Sequence, residues 1–271
     1  MDNFEKFLIA LWGLFFLFIF FQIFKYLRYV KHLQKLKKSP LPEKYKRYII
    51  NLPEFKKLTE KQKQILFYKI QRFLEEKEFI GVGLEITDEI KAVTAFYACL
   101  PTLAYIDFCY PSLKYIYIYP NPVILKQNKK GFVVSNEEIL ISGEAVGEAV
   151  LLVWNEAKRE IHHNEGRNVI IHEFAHELDF EEGMINGIPP IEKSKYMEWT
   201  KIMQKEFLRF RQKTLKNRFL GRYSLLDKYA ATNPAEFFAV LSEYYFERPE
   251  ILKKHFPDIY KELKNFYRLE L

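Results

Sequence analysis

An uncharged apolar stretch near the N-terminus constrains this chain more than any other feature. Residues 7–24, FLIALWGLFFLFIFFQIF, hold no charged side chain and a single amide, Gln22. As an α-helix, a stretch of this length would be about 27 Å long, close to the hydrocarbon thickness of a bilayer. Tyr26 and Tyr29 follow where an interfacial aromatic belt would lie. The stretch therefore predicts one transmembrane helix within residues 1–30.

Two other interpretations explain this stretch less well. A cleaved signal peptide would have a positively charged start, a shorter apolar run and a cleavage site of small residues. This chain instead begins MDNFEK, and no such site follows the run. A buried core helix would carry polar residues along one face, and residues 7–24 have none there. We therefore favour a membrane anchor.

Basic residues are concentrated directly after the anchor. Residues 25–47 carry nine Lys or Arg and one Glu, a balance of +8, whereas the whole chain of 271 residues has a net charge of +7. The positive-inside rule places the following domain in the cytoplasm, attached to the cell membrane by a single pass. We expect residues 31–46 to be a basic juxtamembrane linker that contacts anionic lipid. Because the remainder is close to neutral, the charge does not indicate nucleic-acid binding.

Residues 47–271 show helical and strand patterns in a definite order. Apolar spacing and capping residues predict helices at 59–78, 87–100, 168–182, 191–213, 233–247 and 257–268. Short β-branched and aromatic runs predict strands at 103–108, 113–120, 123–126, 131–135 and 148–159. The fold class is α+β, with a small mixed or antiparallel sheet ahead of a helical C-terminal half. Cys99 and Cys109 suit a reducing compartment and are expected to be buried apolar residues.

The predicted helix at 168–182 contains two histidines four residues apart. Residues 168–180 read NVIIHEFAHELDF, so His172 and His176 share one helical face and can occupy two corners of a tetrahedral Zn²⁺ site. Glu173 lies about 100° around the helix, where it can act as general base toward a water at the metal. The alternative is an amphipathic helix whose histidines bind no metal.

A third ligand and two supporting carboxylates can be proposed from the same reasoning. Glu236 stands among apolar residues in TNPAEFFAVLSEYYF, and a buried carboxylate needs a partner such as a metal. Glu243, two turns further on, can orient a ligand histidine, and Asp179 is a second candidate for that task. For Asp179 and Glu243 the alternative is N–H capping or an ordinary salt bridge.

Several stretches together resemble a known family. HEFAHELD, the segment from Gly183 to Pro189, FIGVGLEITDEIKAVTAFYACLPTL and YAATNPAEFFAVLSEYYFERPEIL are similar to the Mlc titration factor family of zinc-dependent peptidases, peptidase family M90. The resemblance covers about residues 42–265 and implies a gluzincin-type zincin domain. It implies His172, His176 and Glu236 as zinc ligands, Glu173 as catalytic base, and Tyr229 near the metal. Spacing alone would have placed Tyr229 in the core.

Two functions follow as hypotheses. The first is a membrane-anchored zinc metallopeptidase that cleaves a peptide or protein substrate, with the trimming of amino termini suggested by the resemblance. The second is a regulatory module that sequesters a protein partner, such as a transcriptional repressor, with incidental turnover or none. The resemblance carries no repressor partner to this chain, because its familiar members are soluble and no interface residue is matched.

Overall fold

The computed structural model describes residues 2–121, 125–128, 131–134, 140–142, 148–163, 166–181, 185–216 and 221–270. These residues form two compact units, Met1–Pro40 and Leu41–Leu271. The first unit is a helix, and the second contains all the predicted site residues.

The first unit consists of helix α1 (Asn3–Lys38). Asp2 caps its N-terminus, and Lys35, Lys37 and Lys38 lie in its last turn, where cations favour the helix dipole. Among the described residues, only this helix is long and apolar enough to cross a membrane, by length and composition, over Leu11–Lys38. The predicted basic linker therefore begins as a continuation of the helix, which ends at Lys38.

The second unit is mainly helical. Its helices are α2 (Glu43–Ile49), α3 (Pro53–Lys57), α4 (Glu60–Glu76), α5 (Asp88–Cys99), α6 (Trp154–His163), α7 (Val169–Phe180), α8 (Tyr196–Leu215), α9 (Pro234–Glu247), α10 (Pro249–His255) and α11 (Pro257–Tyr267). Side-chain caps begin several of them: Thr59 caps α4 and Thr87 caps α5, each accepting a backbone N–H from the first turn. The predicted helices are confirmed, with ends shifted by a few residues.

The strands form two small sheets. Strands β1 (Glu78–Gly81), β2 (Tyr115–Tyr119) and β6 (Ala149–Val153) pair in the order β1-β2-β6, and both pairings are parallel. Strands β3 (Leu125–Asn128), β4 (Gly131–Val134) and β5 (Leu140–Ser142) form a separate antiparallel sheet. The α+β class is confirmed, but the sheet that packs on α7 is parallel. In the part of the chain that the structure describes, antiparallel pairing is confined to the second sheet.

Two strand predictions need correction. Of the strand predicted at 148–159, residues 149–153 form β6, whereas residues 154–159 begin α6, because Trp154 and Ala157, three positions apart, bury one face of a helix. The strand predicted at 103–108 is absent. Residues 103–108 form turns, because side chains of α4 bind the carbonyls that a strand would offer to a neighbour. Lys69 donates to the carbonyls of Tyr105 and Phe108 at 2.7 and 2.6 Å, and Arg72 donates to that of Asp107 at 2.7 Å. Strand β1 was not predicted, because its four residues directly follow α4 and are too few to show alternation.

One large apolar core joins the sheet to the helical half. The ring of Phe174, on α7, lies 5.0 Å from that of Tyr110 and 5.7 Å from that of Phe73. All three side chains are completely buried. Cys99 and Cys109 are free thiols buried in the same core, as predicted. Because α7 is embedded on its apolar face, the position of its histidines is set by the core.

Candidate active site

Helix α7 presents its two histidines away from the core. Asn168 begins the helix, and its side chain accepts a hydrogen bond from the backbone N–H of Ile171 at 3.2 Å. Ile170, Ile171, Phe174, Ala175 and Leu178 are buried and face the core. His172 and His176 are half-buried on another face, one turn apart. The helix therefore presents two imidazoles side by side at the surface of the core.

Helix α9 brings the third side chain. Asn233 caps it by accepting the backbone N–H of Glu236 at 2.9 Å, and Pro234 occupies its first position. The rest of α9 is almost entirely buried and packs against α7. Glu236, in the first turn, points toward the two histidines. The predicted trio from α7 and α9 is thus brought together.

The three candidate ligand atoms converge. His172 Nε2 lies 3.0 Å from Glu236 Oε2 and 3.2 Å from His176 Nε2, and His176 Nε2 lies 3.4 Å from Glu236 Oε2. A tetrahedral zinc with bonds of about 2.0–2.1 Å holds its ligand atoms about 3.3–3.4 Å apart. Two imidazole nitrogens and a carboxylate oxygen are also a donor set that zinc accepts. The observed triangle therefore fits a metal ion on chemistry and on spacing.

The electrostatics of the cluster favour a positive charge at the same point. Burial by itself would lower the pKa of His172, but the hydrogen-bonded carboxylates of Glu236 and Glu243 raise it to about 10. Burial would raise the pKa of Glu236, yet the two histidines bring it to about 2. Both shifts have one cause, which is attraction between carboxylate and cation in a poorly solvated place. A divalent ion would satisfy that attraction.

Glu243 contacts His172 at Nδ1, the ring nitrogen that does not face Glu236. Its Oε1 is 2.7 Å from His172 Nδ1, and its Oε2 accepts the backbone N–H of Asn168 at 2.7 Å. Because Glu243 accepts the N–H of His172 Nδ1, the lone pair of Nε2 is left to face the candidate metal position that Glu236 and His176 also face. Burial raises the pKa of Glu243, and His172 partly offsets that effect. The orienting contact that the sequence predicted for Glu243 is present.

Two residues in this network were not predicted. Asn168 donates from Nδ2 to Glu247 Oε1 at 2.8 Å, in addition to capping α7 and bonding Glu243. Both Asn168 and Glu247 are buried, at 1% and 5% exposure. A signal was present in the sequence, since Asn168 immediately precedes an apolar helix and Glu247 follows Glu243 by one turn. The identity of their partners was not readable from it.

Glu173 and Tyr229 lie beside the trio. Both line an open cleft of about 510 Å³ together with His172 and Glu243. Burial raises the pKa of Glu173, and the two histidines offset part of the rise. The Tyr229 ring centroid is 6.0 Å from that of His172, and the side chain is 53% exposed. Tyr229 is therefore a cleft residue, as the family resemblance implied, and not a core residue.

Asp179 contacts a turn. It is completely buried, and its two oxygens accept the backbone N–H groups of Gly187 and Ile188 at 2.7 and 2.8 Å. Nδ1 of His176 has no hydrogen-bond partner among the described residues. The orienting contact with a ligand histidine, predicted for Asp179, is therefore replaced by the N–H capping that was its alternative.

The cleft has an acidic lining and a strand at its side. In addition to the residues named above, it is lined by Glu156, Glu160, Arg167, Val169, Asp227 and Val240. Arg167, the only Lys or Arg among the described lining residues, forms an ion pair with Asp227. Strand β6 is an edge strand among the described residues, and it packs against α7. A chain entering the cleft would meet several carboxylates.

Three candidate metal ligands on two packed helices, beside a small parallel sheet, are the site of a metal-dependent class of protein. Residues 27–268 match the family model described as Glucose-regulated metallo-peptidase M90, and the chain belongs to this family. It is 35% identical over 226 residues to uncharacterized protein slr2042 of Synechocystis sp., covering 81% of each chain. It is 32% identical over 225 residues to Mlc titration factor A of Yersinia pestis, covering 81% of this chain and 82% of the relative. The resemblance drawn from the sequence is confirmed.

Proposed function

We propose that this protein is a zinc-dependent peptidase held at the membrane by α1. The observation that carries the proposal is the convergence of His172 Nε2, His176 Nε2 and Glu236 Oε2, at 3.0 to 3.4 Å from one another. Membership in a metallopeptidase family implies a metal, and two imidazoles with one carboxylate favour zinc. Glu173 and Tyr229, next to the trio in the cleft, supply the remaining groups.

Each side chain has a defined task in this proposal. Bound zinc would polarise the peptide carbonyl and lower the pKa of a water molecule toward neutrality. Glu173 accepts the proton of the attacking water and delivers it to the leaving amine. A carboxylate whose pKa is raised by burial suits both transfers better than a fully solvated one. Tyr229 donates a hydrogen bond to the carbonyl oxygen as negative charge develops there.

The lining of the cleft suggests how substrate is held. The free edge of β6 can pair with an extended peptide through backbone hydrogen bonds. Glu156 and Glu160 add negative charge to the cleft, and this favours a substrate with a free α-ammonium group. The negative charge of the cleft therefore favours an aminopeptidase, which removes amino-terminal residues. It is tested by comparing one peptide with a free and with an acetylated N-terminus.

The central experiment is cleavage by the full chain in detergent, loaded with zinc. Glu173→Gln should retain one zinc per chain and lose cleavage, because the amide cannot accept the proton. Glu177→Gln is the matched control, one turn along the same helix. Burial and the neighbouring acids raise the pKa of Glu177 to about 8, so a neutral amide replaces a group that is mostly neutral near pH 7. Equal cleavage by the parent chain and Glu173→Gln would refute the role of Glu173.

A regulatory role is the second proposal, and the relatives named Mlc titration factor A support it. In this reading the chain binds a protein such as a transcriptional repressor at the membrane, and turnover is incidental. The Glu173→Gln variant separates the two proposals. If the variant fails to restore the phenotype of a strain that lacks this protein, the result supports catalysis. Full rescue by the variant, together with retained zinc, supports partner binding.

The membrane orientation is also proposed. An uncharged run followed by nine basic residues in 25–47 supports a single pass with Leu41–Leu271 on the cytoplasmic side. The same basic residues would contact anionic head groups where they lie near the bilayer surface.

A further inference from the structure

The end of α7 is tied to a turn by one carboxylate. Asp179 lies one helical turn after His176, and both of its oxygens are occupied by the N–H groups of Gly187 and Ile188. A buried carboxylate held by two short charge-assisted bonds is a rigid connection. The turn therefore moves with the part of α7 that carries His176.

The same turn lies directly against the start of α9. Gly187 has a φ of +80°, which favours glycine, and a Cβ at that position would lie 2.5 Å from the carbonyl oxygen of Pro234. Pro234 is the first residue of α9 and precedes Glu236 by two positions. Backbone meets backbone here with no side chain between them. The position of the loop turn at Gly187 therefore limits how closely the first helical turn of α9 can approach α7.

A second side chain also holds the turn. The indole Nε1 of Trp199, on α8, donates to the carbonyl of Gly187 at 3.2 Å. Trp199 is 1% exposed, and its ring lies 5.9 Å from that of Phe238 on α9. The turn is thus bonded through its N–H groups to α7, through a carbonyl to α8, and packed against α9.

We infer that Asp179, Gly187 and Trp199 are positioning residues that set the separation of α7 and α9 at the metal site. Apolar packing alone lets two helices slide by fractions of an ångström, whereas the ligand triangle tolerates little displacement. The three residues place Glu236 against the two histidines and contact neither the metal position nor substrate. This inference rests on the proposed function only in taking zinc as the ion.

Asp179 acts on the third ligand in this inference, not on a histidine. If it oriented His176, one of its oxygens would accept from that imidazole, but Nδ1 of His176 has no hydrogen-bond partner among the described residues, and the Asp179 oxygens accept from the turn. An effect of Asp179 on zinc binding would then pass through Pro234 to Glu236.

The test measures zinc affinity of the full chain in detergent by competition with a chromophoric chelator. Asp179→Asn replaces one acceptor with an amide donor that faces a backbone N–H. Trp199→Phe removes the indole N–H and some buried volume, and keeps an aromatic ring in the core. Tyr267→Phe is the control, because it removes a buried 2.6 Å hydrogen bond to Ser242 on α9, away from the ligands. The thermal midpoint of each variant is recorded with excess chelator.

Asp179→Asn should weaken zinc binding by about 10- to 100-fold, the range for residues that support metal ligands. Trp199→Phe should weaken it in the same direction by less. Tyr267→Phe should lower the thermal midpoint and leave zinc affinity unchanged. The visible spectrum of the cobalt-loaded Asp179→Asn chain should also differ from that of the parent chain, since the third ligand is displaced.

Two results would overturn the inference. In the first, Asp179→Asn and Trp199→Phe lower the thermal midpoint as the control does. Both variants nevertheless keep the zinc affinity of the parent chain, and Asp179→Asn keeps its cobalt spectrum. In the second, the parent chain binds no zinc, which would overturn the proposed function as well. A parent chain that binds zinc tightly but cleaves no peptide contradicts the peptidase proposal alone, and the positioning effect would still be measurable.

Discussion

Replacement of Glu243 by glutamine should weaken the metal site without removing a ligand. The carboxylate accepts from His172 Nδ1 and from the backbone N–H of Asn168, both at 2.7 Å. Glutamine has one acceptor oxygen, so its amide group must face one of these two donors. Either outcome leaves a buried donor unpaired or turns the imidazole of His172 away from Glu236.

The magnitude follows from these contacts. A hydrogen bond to a charged group contributes about 1.5–3 kcal/mol, and Glu243 is only 6% exposed, so solvent does not screen it. Loss of an orienting partner typically lowers metal affinity about 10- to 100-fold, which corresponds to about 1.4–2.7 kcal/mol. The two estimates agree. We expect the zinc dissociation constant to rise about 10- to 100-fold.

The assay is zinc competition with a chelator, with stability measured in parallel. Glu206→Gln is a matched control, since Glu206 is 8% exposed and bonds Arg209 and Arg222 at 2.8 Å each. That variant should lose stability and keep its zinc affinity. If Glu243→Gln behaves like the control, the hydrogen bond to His172 has no part in holding the metal ligand.

Three other predictions concern stability and location. Lys69→Met should cost about 1–3 kcal/mol for each of the two backbone carbonyls that it leaves unpaired, measured by urea unfolding. Lys261→Met, at an exposed ion pair with Glu198, should change stability little. Burial and the neighbouring Glu54 raise the pKa of Glu247 from 4.5 to about 8. The protonated form of Glu247 therefore stabilises the fold fully below about pH 4.5, and this contribution is lost as the pH rises through about 8. Glu247→Gln should therefore gain thermal stability relative to the parent chain between pH 5 and pH 9, and an unchanged difference across that range would contradict the assignment. The full chain should resist carbonate extraction from membranes and be digested by protease in inverted vesicles but not in right-side-out ones, if residues 7–24 span the bilayer as proposed.

Local features of this fold were predictable from the sequence because they depend on neighbours along the chain. The i, i+4 spacing of His172 and His176 defines a shared helical face without any knowledge of the tertiary fold. Thr87 and Asn233 cap the helices that they precede, as their side chains require. Glu236 was predicted because an isolated carboxylate in an apolar helix needs a partner.

Contacts across the chain were not predictable in the same way. Asn168 meets Glu247 across 79 positions, and nothing local specifies that pairing. The 103–108 segment has strand composition, but Lys69 and Arg72 bind its carbonyls, so tertiary contacts override its propensity. Parallel pairing of β1 with β2 depends on a crossover that includes α5, which short-range alternation cannot reveal.

The buried helix α9 explains why the site and the core cannot be separated. Three carboxylates, Glu236, Glu243 and Glu247, lie on a helix that is otherwise largely apolar. Each carboxylate has different hydrogen-bond partners. Glu236 contacts the two histidines, Glu243 contacts His172 and a backbone N–H, and Glu247 contacts Asn168. All three carboxylates contact α7 or its N-cap Asn168, so the acidic face of α9 orients the histidine helix while its other faces pack in the core. Burying these groups is costly unless every partner is in place, and that requirement couples the packing of α7 on α9 to the geometry at His172.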